Sequence, residues 1–236
     1  MEQRETASGT LYIVATPIGN LADITHRALE TLRAVDLIAA EDTRVTRRLL
    51  TAYGIATPIT SYHAHTPAKK EAELVRKLAA GASVALVTDA GTPGISDPAA
   101  RLVRRALEAG VTVIPVPGPT ALIAALSASG LPTDTFTFEG FLSTKAGRRR
   151  RRLEALAALG HTVVLYESPR RLKKLLVELV ETFGPERACV VAREVSKRHE
   201  EFIRGALAEV ARALADREVK GEVTVLVGPP PKRDRG

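Results

Sequence analysis

Three short stretches of the chain combine glycine, proline and small polar residues in a way that could hold a ligand against bare main chain. They are TPIGN (16–20), DAGTPGISDP (89–98) and PGPT (117–120). Each follows an apolar run that reads as a strand: LYIVA (11–15), SVALVTD (83–89) and VTVIPVP (111–117). Glycine lets a ligand approach the backbone closely, and proline stiffens the loop that presents it. Exposed amides and carbonyls then supply hydrogen bonds without long side chains. Strand-to-helix turns are often rich in these residues for purely local reasons, so any one of the three alone is an ordinary loop. Three at equivalent positions, after strands of one parallel sheet, favour a shared ligand.

Familiar phosphate motifs do not name that ligand. No G-x-x-x-x-G-K-[ST] sequence is present, and TPIGN is not G-x-G-x-x-G. His63 and His65 in SYHAHT are the best pair for a metal. An isolated H-x-H in a polar loop reads as a surface feature, and no metal is expected. No G-x-S-x-G nucleophile elbow occurs. Hydrolase and NTPase chemistry therefore lacks support. The single cysteine, Cys189 in ACVVA, reads as a small core residue. It excludes an intramolecular disulfide and Cys-rich zinc sites, and it fits a reducing compartment.

Charge is distributed unevenly. The net charge is +7, yet residues 1–144 balance to −1 and residues 145–236 to +8. The excess points to an anionic partner, with nucleic acid first among candidates. Its densest part is STKAGRRRRRLEAL, with Lys145 and the five consecutive arginines Arg148, Arg149, Arg150, Arg151 and Arg152. Guanidinium forks match phosphate oxygens. On a helix five consecutive arginines point all round the axis, so some face solvent. SPRRLKK (168–174), with Arg170 and Arg171, and Arg44, Arg47 and Arg48 extend the basic set. Aromatics make up 4% of the chain with no tryptophan, so shape and phosphate contact are expected to outweigh base stacking.

The elements that position these residues alternate between strand and helix. DITHRALETLRAV has apolar residues at helical spacing, with Asp23 expected as its N-cap. LIAAE (37–41) reads as a second strand. In DPAARLVRRALEAG, Asp97 is the expected cap, Pro98 the first helical residue and Gly110 the stop. PTALIAALSASG repeats the proline-to-glycine pattern. Such alternation predicts a mostly parallel sheet with helices on both faces. Further on, TFTFEGF (135–141) alternates like a half-exposed strand. HTVVLYES, ACVVARE and EVTVLVG read as strands, and RRLKKLLVELVETFG and ALAEVARALAD as amphipathic helices. The expected organisation is a flexible tail at 1–9, an α/β domain at 10–117, a second at 118–228 and a flexible tail at 229–236. A cytoplasmic location is expected, since the apolar runs are too short for a membrane helix and the N-terminus lacks a signal-peptide core.

Several stretches resemble the ribosomal small subunit methyltransferase I family, the 16S rRNA (cytidine-2'-O)-methyltransferases of the tetrapyrrole methylase superfamily. They are LYIVATPIGNLADITHRALETLRAVDLIAAEDTR, VTDAGTPGISDP, PVPGPTAL, YESPRR and AREVSKRHEEFIRG, in order along residues 11–228. The resemblance implies a class III methyltransferase fold: two α/β domains with a cofactor cleft between them. It implies S-adenosyl-L-methionine as cofactor, a cytidine ribose in the decoding region of 16S rRNA as substrate, the small ribosomal subunit as partner and a homodimer. By match to the family, Asp89, Ala90, Gly91 and Ile95 line the methionine and ribose parts of the cofactor. Thr120, Ala121, Leu165, Tyr166 and Ala192 complete the pocket, with Pro17 beside the methyl group. Methyl transfer to a hydroxyl can use a positioned base or alignment alone. Glu139, Glu167 and Glu194 are candidates, with Lys197 as a partner, beside Asp23, Glu41 and Asp42. Two rival readings are a tetrapyrrole methyltransferase, against which the basic second half speaks, and a ribosome-binding factor without catalysis.

Overall fold

The computed structural model describes residues 9–97 and 99–231. The chain forms two compact units that divide between Thr120 and Ala121. The expected boundary at 117/118 falls just before this division, so Gly118, Pro119 and Thr120 belong to the first unit. Residues 1–8 and 232–236, most of the two expected tails, lie outside the described residues, as does Pro98. Gly9, expected as the end of a tail, is instead packed. Its amide donates to the Leu78 carbonyl at 3.0 Å, and a Cβ there would sit 2.0 Å from the Ala82 carbonyl.

The first unit contains β1 (Thr10–Val14), α1 (His26–Ala34), β2 (Leu37–Ala40), α2 (Thr43–Ala52), β3 (Ile59–Ser61), α3 (Ala68–Ala79), β4 (Ser83–Val87), α4 (Ala99–Glu108) and β5 (Thr112–Val116). Its strands run in the order β3-β2-β4-β1-β5, and every pair is parallel. Side chains of a strand alternate between faces. Leu11, Val84 and Leu86 therefore face Leu74 and Leu78 of α3 and Leu102 and Ala106 of α4. Val14, Ala85 and Val87 face Ala28 and Leu32 of α1 and Leu50 of α2. Burial on both faces is why these strands read as unbroken apolar runs. Pro115 lies in β5, at the sheet edge, where a missing amide is tolerated.

Two helix starts bear on the site. Asp23 does not cap α1. It ends a separate 3-10 turn, Leu21–Asp23, and the cap of α1 is Thr25, whose hydroxyl accepts from the Ala28 amide at 3.1 Å. Threonine wins because it stands three residues before that orphan amide. Asp97 does hold the start of α4, with Oδ1 accepting from the Ala99 amide and Oδ2 from the Gly94 amide, each at 2.8 Å.

The second unit contains α5 (Ala121–Ser127), β6 (Phe136–Phe141), α6 (Ala146–Ala157), β7 (Thr162–Glu167), α7 (Pro169–Phe183), β8 (Ala188–Arg193), β9 (Glu201–Ala206), α8 (Leu207–Ala215) and β10 (Val223–Val227). The sheet order is β6-β7-β10-β8-β9. Only β6–β7 is parallel, and the other pairs are antiparallel. The mostly parallel sheet expected from the first half of the chain is the first sheet, and the second half builds a mostly antiparallel one. Leu153 of α6, Leu172, Leu175 and Leu179 of α7 and Val210 of α8 pack with Val163, Leu165, Val191 and Val225 on one face. Leu122, Ala125 and Leu126 of α5 pack with Val164, Val190 and Leu226 on the other. Each fully buried leucine of this kind contributes about 1.5–3 kcal/mol. Cys189 lies in the first of these clusters, and burial pushes its thiol up to about 12. Among the described residues no helix is long and apolar enough to cross a membrane.

Candidate functional site

In a parallel sheet all strand C-termini share one edge. At that edge of the first unit the three glycine-proline turns are tied together, two of them through main chain and the third through one hydroxyl. The Thr16 amide donates to the Gly91 carbonyl at 2.9 Å, and the Gly91 amide donates back at 3.0 Å. The Thr92 hydroxyl donates to the Pro119 carbonyl at 3.0 Å. Two glycines are required for this approach. Gly91 has φ 91°, and a Cβ there would meet Ile18 Cγ2 at 3.4 Å and the Pro119 carbonyl at 3.6 Å. A Cβ on Gly118 would lie 2.9 Å from the Ala15 Cβ.

The residues singled out from sequence sit along this edge. Gly91 is buried, Pro17 and Thr120 are half-buried, and Asp89, Ala90 and Ile95 are exposed. Ile95 stands between Gly94 at φ 94° and Ser96 at φ 65°. A left-handed serine is costly backbone of the kind that concentrates at ligand sites. Thr16, Ile18 and Thr92 were not singled out, although their turns were.

Acidic side chains gather at the same edge. Glu41 Oε2 accepts from the Thr88 hydroxyl at 2.5 Å. Asp89 Oδ1 accepts from the Asp42 amide at 2.8 Å. Asp42 in turn pairs with Arg44, which holds its carboxyl down at about 2. Although Asp89 is exposed as a residue, partial loss of solvent around its carboxyl raises it above the usual carboxylate range, helped by the charges of Glu41 and Asp42 against the opposing Asp42 amide. Asp97 is likewise raised by burial, despite the amides it accepts from. Glu41, Asp42 and Asp89 together concentrate negative charge beside the turns, an environment that favours a cation.

The second unit uses side chains where the first uses backbone. Tyr166 is half-buried, and its hydroxyl accepts from the Leu122 amide at 2.9 Å, near the start of α5. That amide is one that a first helical turn leaves without a main-chain partner. Ala121 opens the same helix and is half-buried. Ala192 is fully buried in the apolar cluster that Tyr166 joins. Leu165 corrects the expectation for it. Its side chain is 0% exposed in the core under α6 and α7, pointing away from any surface a ligand could reach.

The candidate bases Glu139, Glu167 and Glu194 are committed to cations. Glu167 has a fully buried side chain and accepts from Arg171 Nε at 2.7 Å, with Arg149 Nη1 3.4 Å away. Glu139 accepts from Arg152 through both oxygens, at 2.8 and 2.6 Å. Glu194 Oε1 accepts from Lys197 Nζ and from the Glu222 amide, each at 2.9 Å. Burial acts upward on the Glu194 carboxyl, but the amide and the ammonium outweigh it and hold it below the usual range. Burial acts downward on Lys197, but Glu194 and Glu222 outweigh it and hold it up. This pair is charged, not poised for proton transfer. Its loop is strained, with Glu194 at φ 51° and Ser196 at φ 67°.

The arginine run divides by helix phase. Arg149 is 3% exposed and pairs with Glu178 at 2.5 Å, so it is a core residue and not an RNA contact. Arg171 is also withdrawn, holding Glu167 and reaching the Leu142 carbonyl. Arg152 pairs with Glu139 and Arg150 with Glu154. Lys145, Arg148, Arg151 and Arg170 are exposed and carry no ion pair among the described residues.

Comparison with known proteins is consistent across the chain. The family described as Tetrapyrrole (Corrin/Porphyrin) Methylases matches residues 10–211. A protein of Mesorhizobium japonicum named ribosomal RNA small subunit methyltransferase I is 53% identical over 224 residues, 93% of this chain and 75% of its own length. A protein of the same name from Synechocystis is 52% identical over 227 residues, 96% of this chain and 81% of its own. Among solved structures, uroporphyrin-III C-methyltransferase from Thermus thermophilus, complexed with S-adenyl homocysteine, aligns with a TM-score of 0.65. At 23% identity, covering 93% of this chain and 97% of that one, it is a likeness of fold.

Proposed function

The chain belongs to the ribosomal RNA small subunit methyltransferase I family of the tetrapyrrole methylases, and from this we propose that it is an S-adenosylmethionine-dependent enzyme that methylates the ribose 2'-oxygen of a cytidine in the decoding region of 16S rRNA. Its partner is the small ribosomal subunit. The observation that supports this most is the convergence of three glycine-proline turns on an acid-lined edge. Bound S-adenosylmethionine supplies a methyl group on a positively charged sulfur and carries an ammonium as well. The carboxylates of Glu41, Asp42 and Asp89 at this edge suit such a cation, and the cofactor has no phosphate that would call for a P-loop.

In this reading Pro17, Asp89, Ala90, Gly91, Ile95 and Thr120 of the first unit hold the cofactor. Asp89 takes the charged or hydroxyl groups, and the main chain of the long turn takes the rest. Glu139, Glu167, Glu194 and Lys197 act as anchors of the loops that present substrate, since each is already neutralised. Alignment of the ribose hydroxyl then does most of the catalytic work. Lys145, Arg148, Arg151 and Arg170 meet RNA phosphates. The protein acts in the cytoplasm as a homodimer.

The test is transfer of labelled methyl groups to small subunits from cells lacking the gene, followed by mapping of ribose methylation. One cytidine gaining a 2'-O-methyl group is the expected result. Product on a porphyrinoid with none on subunits would overturn the reading.

A further inference from the structure

One helix of the first unit departs from the charge balance of its surroundings. Residues 1–144 balance to −1, yet α2, TRVTRRLLTA, holds three arginines and no acid. Helix phase sorts its side chains. Thr46, Leu49 and Leu50 are buried, while Arg44, Arg47, Arg48 and Thr51 stand exposed. A groove of about 660 Å³ runs along this outer face, lined by Thr43, Arg44, Arg47, Arg48, Thr51 and Ala52. A second hollow of about 260 Å³ shares Arg47 and Thr51 with it and continues past Ile55 to Pro58 and Ile59, at the start of the edge strand β3. Among the described residues no acidic side chain lines either hollow.

The groove begins at the acid edge. Asp42, the N-cap of α2, donates its amide to Asp89 Oδ1 at 2.8 Å. Its carboxylate holds Arg44 through Nε at 3.0 Å and Nη2 at 2.5 Å. Arg44 is thereby anchored where the groove meets the turns. Arg47 and Arg48, about one helical turn further on, make no ion pair among the described residues. Two guanidinium groups without a protein anion are available to an outside one. A row of cations with the hydroxyls of Thr43 and Thr51 beside it suits a chain of phosphates and sugars. An isolated phosphate would call for an enclosed pocket, and the arginines here are exposed. No aromatic ring lines the groove, so contact goes to the backbone of the strand and not to its bases.

We propose that the groove along α2 is a track for the sugar–phosphate backbone of the RNA, with Arg47 and Arg48 on phosphates and Arg44 fixing the end beside the cofactor turns. This rests on the RNA-methylation reading above and gives the first unit an RNA contact of its own, besides the cations of α6 and α7. The test is the salt dependence of binding to protein-free 16S rRNA, with S-adenosylmethionine affinity measured in parallel. The double variant Arg47→Ala, Arg48→Ala should lower the salt slope by about 2 and leave cofactor affinity unchanged. Arg47→Lys with Arg48→Lys keeps both charges and should restore the slope. Urea unfolding should show both variants folded like the wild type, since the replaced side chains are exposed. An unchanged slope in the alanine variant, failure of the lysine pair to restore it, or no binding of protein-free rRNA by the wild type would each overturn the proposal. Weakened binding to assembled subunits with protein-free rRNA bound as before would assign the groove to an acidic protein and overturn it too. Failure of the functional reading shows separately, as absence of methyl transfer to small subunits by the wild type.

Discussion

At the strand ends of the first unit, main chain holds the loops together; at those of the second, buried charge does. The Thr16–Gly91 main-chain pair joins two of the turns, and a single hydroxyl, that of Thr92, ties in the third at the Pro119 carbonyl. Around β7 a chain of Arg171, Glu167, Arg149 and Glu178 links two helices to the strand. The contrast follows from what each region presents. Loops fixed through backbone leave acids such as Asp89 free to meet a cation, at no desolvation cost to an existing pair. Helices fixed through buried ion pairs can spend one arginine of a run inward and turn the next outward. The same contrast separates the sign of charge: carboxylates gather at the turns of the first unit, and cations with no ion pair among the described residues stand on α6 and α7 of the second.

The largest expected effect breaks the charged anchor. Glu167→Gln leaves Arg149 and Arg171 facing a neutral amide, and Arg149 is too buried for water to compensate. Removing one partner of a buried pair costs about 3–5 kcal/mol. Urea unfolding of the variant should show a loss of this size. A loss under about 1 kcal/mol would mean that the pair behaves like a surface one. Arg149 Nη2 and Glu167 Oε2 make no hydrogen bond, so replacing both residues by apolar ones should cost less than replacing either.

Next comes the acid edge, where function and stability should move in opposite directions. Asp89→Asn keeps an oxygen for the Asp42 amide but removes the charge. Cofactor affinity measured by calorimetry should fall by about 1.5–3 kcal/mol, the worth of a charged hydrogen bond. Stability should rise. Because the folded-state carboxyl sits above its ordinary value of 3.8, the folded protein holds this proton to higher pH than the unfolded chain does. Its contribution therefore declines as pH rises from 3.8 through the raised value, and the aspartate is a net liability at neutral pH. The variant should lose that slope. If Asp89→Asn is less stable at pH 7 with cofactor affinity unchanged, the residue is structural.

A smaller effect is expected for the main-chain anchor. Gly91→Ala places a Cβ at 3.4 Å from Ile18 and keeps φ near 91°. The contact is tolerable and the dihedral is not, so the cost should be about 1–2 kcal/mol, with cofactor binding weakened and RNA binding retained. Loss of RNA binding alone would detach this turn from the cofactor site.

How much of this the sequence reveals differs between the two regions for physical reasons. Strands buried on both faces announce themselves as apolar runs, and the turns after them carry glycine and proline, so the first edge is readable by position. β3 and β9 are short or mixed in polarity, ITS and EFIRGA, and periodicity has little to grip. Asp23 has the residue type of a cap but stands five residues before the Ala28 amide, which Thr25 reaches instead. A run of five identical residues hides its own phase, but the flanks hold it. Leu153 and Leu156 stand four and seven residues after Arg149, which puts that arginine on the apolar stripe. The partner of a buried charge lies outside any local window, except where Arg171 follows Glu167 by four.

The smallest expected effect separates neighbours within that run. Arg150 and Glu154 form an exposed i,i+4 pair, with side chains 78% and 52% exposed, worth about 0.3–0.5 kcal/mol. Arg151 has no ion pair among the described residues, so Arg151→Ala should leave stability unchanged within about 0.5 kcal/mol. Both variants should refold like the wild type, in contrast to Arg149→Ala, which takes away a buried partner. RNA affinity should order them differently. Arg151→Ala removes a free cation and should lower the salt slope of binding by about 1. Arg150→Ala also releases Glu154 beside the phosphates, so its affinity should fall at least as far although its stability hardly moves. Equal stability losses across Arg149, Arg150 and Arg151 would mean that the run acts as one structural block and that its division by helix phase carries no function.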